Sequence, residues 1–197
     1  MAEPLSRTLA SAPLYCVAVL LLVSAVAILP GYGQAKPPRV FIDRKICPGE
    51  GCDYRGRAKV VTATAVYRLP NVSSGAAFRL PKGTTVTGID SQVHTRAGQF
   101  VVKRAHKNYR KSDVLFVYTY LGEGFFRVWH RGRMFEEDLA FSVWGGSTGK
   151  RCEEDPKHCW GVLEKPADMK WWLKVRTKNG RTGWVLVEDN LEWADSF

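Results

Sequence analysis

Trp171-Trp172-Leu173-Lys174-Val175-Arg176-Thr177-Lys178-Asn179-Gly180-Arg181-Thr182-Gly183-Trp184-Val185 is the stretch that decides the fold class. Two strand-like runs flank Asn179-Gly180, a pair that supplies the positive φ angles of a type I′ turn. The second run opens with Gly183-Trp184-Val185. The stretch reads as a β-hairpin.

Working outward, strand and turn signals keep alternating. Lys59 to Arg68 is dense in Val and Thr and reads as a strand, ended by Leu69-Pro70-Asn71. Phe78 to Gly83 leads into a second strand, Thr84 to Ile89. Val114 to Leu121 is a third, and Gly122-Glu123-Gly124 turns it into Phe125 to His130. Phe135 to Phe141 has room for one helical turn, but nothing after Ala35 sustains a 3.6-residue period. Residues 92–112 and 144–166 are polar or rich in Gly and charge and read as long loops. The fold class is therefore all-β with long loop insertions.

The closing hairpin and the earlier turn resemble the bacterial SH3-like (SH3b) domain family. Its last hairpin runs roughly W-x-K-V-R-x-x-x-G-x-x-G-W-V, the pattern from Trp172 to Val185, and a Leu-x-Lys-Gly-Thr turn matches Leu80-Pro81-Lys82-Gly83-Thr84. The likeness covers Lys59 to Ile89 and Phe125 to Glu192. It implies an SH3-like β-barrel over residues 59–193 that binds and does not catalyse. The implied ligand is peptidoglycan or its peptide stems in the cell envelope. The alternative is a protein–protein adaptor for an envelope enzyme or secretion complex.

An internal echo accompanies it. Phe125-Phe126-Arg127-Val128-Trp129-His130-Arg131-Gly132-Arg133 parallels Trp172 to Arg181, with one extra residue in the second turn. One barrel carrying a duplicated hairpin fits the chain length better than one and a half barrels.

The front of the chain addresses location. Leu14 to Leu29 carries no charge, Arg7 precedes it, and Gly33-Gln34-Ala35 places small residues at the −3 and −1 positions of a cut. Residues 1–35 thus read as a secretory signal peptide, with an uncleaved N-terminal anchor as the alternative. The expected home is the periplasm or the exterior. The segment holds one acid (Glu3) and one base (Arg7), so the remainder keeps the whole net charge of +10. That charge favours an anionic cell-wall polymer or an acidic envelope protein, and export argues against nucleic acid.

Four cysteines follow the signal segment as two local pairs, Cys47 with Cys52 and Cys152 with Cys159. In an oxidising compartment they read as disulfides, locally paired in the simplest connectivity, with residues 36–58 forming a stapled N-terminal loop. A four-thiolate zinc site is the alternative, at unusual spacing. No cofactor motif is present.

Strand alternation selects candidate ligand contacts. Trp172, Lys174 and Arg176 share one face, with Leu173 and Val175 on the other. Phe125, Arg127, Trp129 and Arg131 share a face, with Phe126 and Val128 opposite. Arg127, Trp129, Trp172, Lys174 and Arg176 are therefore expected to line a shallow groove, pairing flat π surfaces with cations. Stacking of Trp and Arg that simply covers a barrel surface is the competing explanation.

Catalytic motifs fail on context. Gly145-Gly146-Ser147-Thr148-Gly149 has the nucleophile-elbow spacing but no α/β pattern around it. Gly149-Lys150 lacks the first glycine and the Ser/Thr of a phosphate loop. Cys159, beside His158, has a disulfide partner in reach. Glu136-Glu137-Asp138 reads as a solvated acidic turn. The chain is read as a non-enzyme.

Overall fold

The computed structural model describes residues 36–50, 52–144, 154 and 159–193. Residues 1–35, which read as a signal peptide, lie outside them, as do Cys152 and the Gly145–Gly149 motif. In chain order the strands are β1 (Val40–Arg44), β2 (Arg57–Val60), β3 (Thr64–Tyr67), β4 (Ala76–Leu80), β5 (Thr85–Arg96), β6 (Gly98–Val102), β7 (Val114–Gly122), β8 (Phe125–His130), β9 (Arg133–Asp138), β10 (Gly161–Lys165), β11 (Asp168–Thr177), β12 (Thr182–Val187) and β13 (Leu191–Trp193). A 3₁₀ turn (Val72–Ser74) and one helical turn (α1, Ala140–Trp144) complete the described elements. The chain is all-β, as the alternation predicts.

Two sheets form. The larger has eight strands in the order β13-β2-β5-β11-β12-β3-β4, with β1 added alongside the far end of β5. The smaller has five, in the order β10-β6-β7-β8-β9. Each builds its own core. Val60, Val66, Val86, Leu173, Val175 and Val185 are buried in the first, and Phe100, Leu115, Val117, Val128 and Trp160 in the second. The duplicated hairpin is therefore not part of the larger sheet. The echoed hairpins lie in different sheets, β8–β9 in the smaller and β11–β12 in the larger.

The segments expected as loops contain three strand stretches, while the basic tract 103–112 is loop as expected. Residues 92–96 end β5, 98–102 form β6, and 161–165 form β10. Arg96, Gln99, Glu164 and Lys165 face outward, while Gln92 and Thr95 are buried, so polarity alone does not mark these stretches as loops. Conversely, Lys59 to Arg68 is two strands, because β2 leaves its neighbour at Val61, whose N–H donates to the Asn190 carbonyl. Phe135 continues β9, and the helical turn begins later, at Ala140.

The turns also refine the expectation. Gly180 takes a positive φ of 78°, and Asn179 is not among the described non-glycine residues that do. Gly180 N–H donates to Thr177 O and Thr177 N–H to Arg181 O, so the loop is a type I turn closed by a glycine bulge. Two-residue turns with both φ angles positive sit instead at Glu123-Gly124, between Gly122 and its partner Phe125, and at Arg131-Gly132, between His130 and its partner Arg133. Gly183 is required for packing. A Cβ there would lie 2.5 Å from Val66 Cγ1, where β3 crosses β12.

Between the sheets, β1 is the strap. Phe41 meets the Tyr118 ring at 5.7 Å, and the Tyr118 hydroxyl donates to Pro38 O at 2.7 Å. Burial pushes the Tyr118 phenol pKa up to about 12. Thr95 of β5 and Thr119 of β7 share a buried hydroxyl bond of 2.9 Å. A disulfide joins Cys47 and Cys52 just after β1, so these two thiols are not zinc ligands. It shapes the loop that carries Glu50, whose carboxylate accepts from Tyr120 at 2.5 Å. Cys159 is also disulfide-bonded, to a partner outside the described residues.

Candidate functional site: a cationic cleft at the corner between the sheets

The five expected groove residues divide between the two sheets. Trp172, Lys174 and Arg176 lie on β11, in the middle of the larger sheet. Arg127 and Trp129 lie on β8, in the smaller. No hydrogen bond, ion pair or ring contact among the described residues joins one group to the other.

Trp172 is not a ligand surface, for it is only 3% exposed. It stands between Gln92 and Leu186 on the flanking strands, meets Tyr67 edge-on at 5.6 Å and lies 6.3 Å from the His94 ring. A large side chain on a central strand is covered by its cross-strand neighbours. Lys174 sits with its ammonium 5.9 Å from the Trp184 ring, and Arg176 is exposed beside Thr87 and Thr182. Of this stripe Trp172 is packing, while Lys174 is half-buried and Arg176 exposed.

Arg127 is structural too. Its guanidinium bonds Asp43 at 3.3 Å and Glu136 at 2.9 Å, tying β8 and β9 to the strap β1. Asp43 is 8% exposed, and its Oδ2 has no partner among the described residues. The acidic run expected as a solvated turn is in β9. There Glu136 holds Arg127, and buried Glu137 accepts from Lys107 and Tyr109, each at 2.5 Å. Asp138 accepts from Ala140 N–H. Burial and the Glu137 bond push the Tyr109 phenol well above its ordinary pKa. The Asn71 side chain caps the 3₁₀ turn through Ser73 N–H.

Trp129 leads to the site. Lys165, Gln99, Phe116, Trp129 and Met134 are successive cross-strand partners across the whole smaller sheet, so their side chains share its outer face. Trp129 packs edge-on against Phe116, with centroids 5.6 Å apart. β1 covers the neighbouring part of this face through Phe41 and Asp43. Where that cover ends, a cleft of about 620 Å³ opens. Phe116 and Gln99 line it, as do the Pro37–Val40 segment, Arg96-Ala97 and Lys165.

Three cations, Arg39, Arg96 and Lys165, line this cleft and no acid does. All three are exposed, and none forms an ion pair among the described residues. Asp168 stands opposite Arg96 in the ladder but outside salt-bridge distance of it. Like charges gathered without counter-charge repel one another, and an anion relieves that repulsion. The aromatic pair beside them offers a flat apolar wall.

None of the expected residues lines the cleft; Trp129 packs against Phe116 in its wall. Arg39, Arg96, Gln99, Phe116 and Lys165 were not picked out from the sequence. Unpaired basic residues next to Pro37-Pro38, Ala97-Gly98 and Pro166 were the available signal, since chain corners gather at such positions. No family model, curated protein or solved structure matches the chain. No described helix is long and apolar enough to cross a membrane.

Proposed function

We propose that this is an exported, non-catalytic binding protein, built on an SH3-like barrel, whose corner cleft recognises an anionic cell-envelope polymer: peptidoglycan or its peptide stems. The observation that carries this reading is the set Arg39, Arg96 and Lys165, unpaired beside an aromatic wall. Carboxylates of a peptide stem suit guanidinium forks, and a sugar or alkyl segment suits Phe116. The barrel half of the reading draws support from topology. β2, β5, β11 and β12 are successive neighbours, and β13 returns to pair with the first of them. The Cys47–Cys52 disulfide agrees with export to an oxidising compartment.

Sedimentation of the purified protein with isolated sacculi, across a salt series, tests the reading. Binding is expected to survive about 0.5 M salt, where the Debye length is only a few Å, and to fall at least tenfold in Arg96→Gln/Lys165→Gln. Binding that vanishes by about 0.15 M salt, or that ignores these substitutions, would reduce the charge to unspecific attraction and turn attention to a protein partner.

A further inference from the structure

The two turns that carry the family resemblance are far apart in sequence and adjacent in space. Pro81-Lys82-Gly83-Thr84 leads into β5, and Thr177 to Arg181 links β11 to β12. β5 and β11 pair with Val86 opposite Thr177, so both turns emerge at one end of the larger sheet. Gly83 has a φ of 87° and Thr84 N–H donates to Pro81 O, which fixes the first turn. The glycine bulge at Gly180 fixes the second. A cavity of about 390 Å³ separates them, lined by Phe78, Arg79, Thr84, Thr177, Lys178 and Arg181 among others.

The chemistry of this cavity is one-sided. It is lined by three cations, Arg79, Lys178 and Arg181, and by no acid. The Arg181 guanidinium carbon lies over the Phe78 ring, 3.8 Å from its centroid. Among the described residues no acceptor meets that guanidinium. Arg79 has one long bond, 3.5 Å, to Ala63 O. A guanidinium held over a ring keeps its N–H edge open, and it loses little freedom when that edge is used. Two oxygens of one anionic group match the spacing of such an edge.

We propose that this cavity is a second anion-binding site, taking the paired oxygens of a phosphate or carboxylate group on the Arg181 fork, with Lys178 and Arg79 adding charge. It shares no lining residue with the corner cleft and stands whether or not the cleft binds wall polymer. The fork, more than the summed charge, sets the affinity. Arg181→Lys therefore loses most of the binding although it keeps the charge.

The test is a titration of the full chain with inorganic phosphate and, separately, with glutarate, followed through the Gly83, Gly180 and Arg181 N–H resonances. Saturable shifts are expected with at least one of the two anions, and which one responds identifies the source of the oxygens. Affinity should fall about tenfold in Arg181→Lys and further in Arg181→Gln. It should fall several-fold in Phe78→Leu, which keeps an apolar residue and removes the ring. Arg96→Gln, in the other cleft, should titrate like the parent. Shifts that do not saturate with either anion, or an Arg181→Lys protein that binds as well as the parent, would overturn the site. Arg181 is exposed, so its variants keep the parent's melting temperature, and that measurement separates lost binding from lost fold.

Discussion

Arg96, the last residue of β5, stands directly opposite Asp168, the first residue of β11, and the entire smaller sheet is spliced between them. The ladder does not stop there. Gln99 pairs with Lys165 in the same register, so one two-stranded ribbon runs out of the larger sheet, bends, and becomes the β6–β10 pair of the smaller. The corner cleft lies at that bend, which is why its cations come from both sheets and from the segment before β1.

The bend depends on Gly98. A Cβ there would lie 2.5 Å from Lys165 O and 2.6 Å from Ala167 N, both backbone atoms that cannot swing aside. Gly98→Ala is expected to cost about 1–3 kcal/mol by overpacking. It should weaken sacculus binding at the same time. Urea denaturation monitored by tryptophan fluorescence gives the first number, and sedimentation gives the second.

Arg127 acts as a clasp between sheets. Removing it leaves Asp43 buried beside the Phe41 strap with its Oδ1 ion pair gone. Arg127→Ala should cost about 2–4 kcal/mol, near the low end for a broken buried pair because Arg127 is itself partly exposed. The strap carries the Pro37–Val40 wall of the cleft. Amide exchange in β1 should therefore quicken more than exchange in β12.

Two tryptophans separate packing from recognition. Trp172→Ala opens a void in the middle of the larger sheet and should cost about 3–5 kcal/mol. Binding by the molecules that remain folded should be unchanged. Trp129 is half-buried beside the cleft, so Trp129→Ala should cost less stability and weaken binding several-fold. Calorimetric melting paired with sedimentation on the same samples distinguishes the two.

Acid should destabilise the protein in two stages. Burial lowers the pKa values of His94, His106 and His130, with neighbouring cations adding to each, and Asp113 only partly offsets this at His130. The unfolded chain therefore binds more protons below about pH 6.5, and the stability present above that pH is lost as pH falls through it. Asp113 adds a second stage. The Arg110 N–H bond holds its carboxyl below the usual range, so its contribution is present above about pH 4 and lost on further acidification. Denaturation midpoints should fall from pH 7.5 to 5.5 and again towards pH 3. A midpoint that rises at pH 5.5 would contradict the first stage.

Reduction of the Cys47–Cys52 bond is expected to cost about 2 kcal/mol, the loop-entropy value for so short a closure. The local consequence should be larger than the global one, because the loop presents Glu50 to Tyr120. Hydrogen exchange around Gly122 to Gly124, with and without reductant, would show it.

Much of this was legible in residues. The strands around Asn179-Gly180 and Gly122-Glu123-Gly124 follow from local turn chemistry and period-2 patterning. The in–out alternation of Phe126 and Val128 against Arg127 and Trp129 is as the pattern requires, whereas on β11 Trp172 is buried along with Leu173 and Val175. Alternation says which side of a strand a residue faces. It is silent on what covers that side. Trp172 and Trp129 have the same pattern around them, yet one is sealed by Tyr67, Gln92 and Leu186 and the other is half-buried against Phe116 of the cleft wall.

The chain's own order of residues thus determined that it is all-β and basic, because propensity and net charge are local quantities, while the bond between Cys47 and Cys52 was settled against zinc only by the structure. The tertiary structure alone decided that β5 and β11 leave one sheet together and enter another. It alone gathered Arg39, Arg96 and Lys165 at that bend and placed Arg181 over Phe78. Those are long-range pairings, set by which ladders close against which cores, and no window of sequence contains both partners.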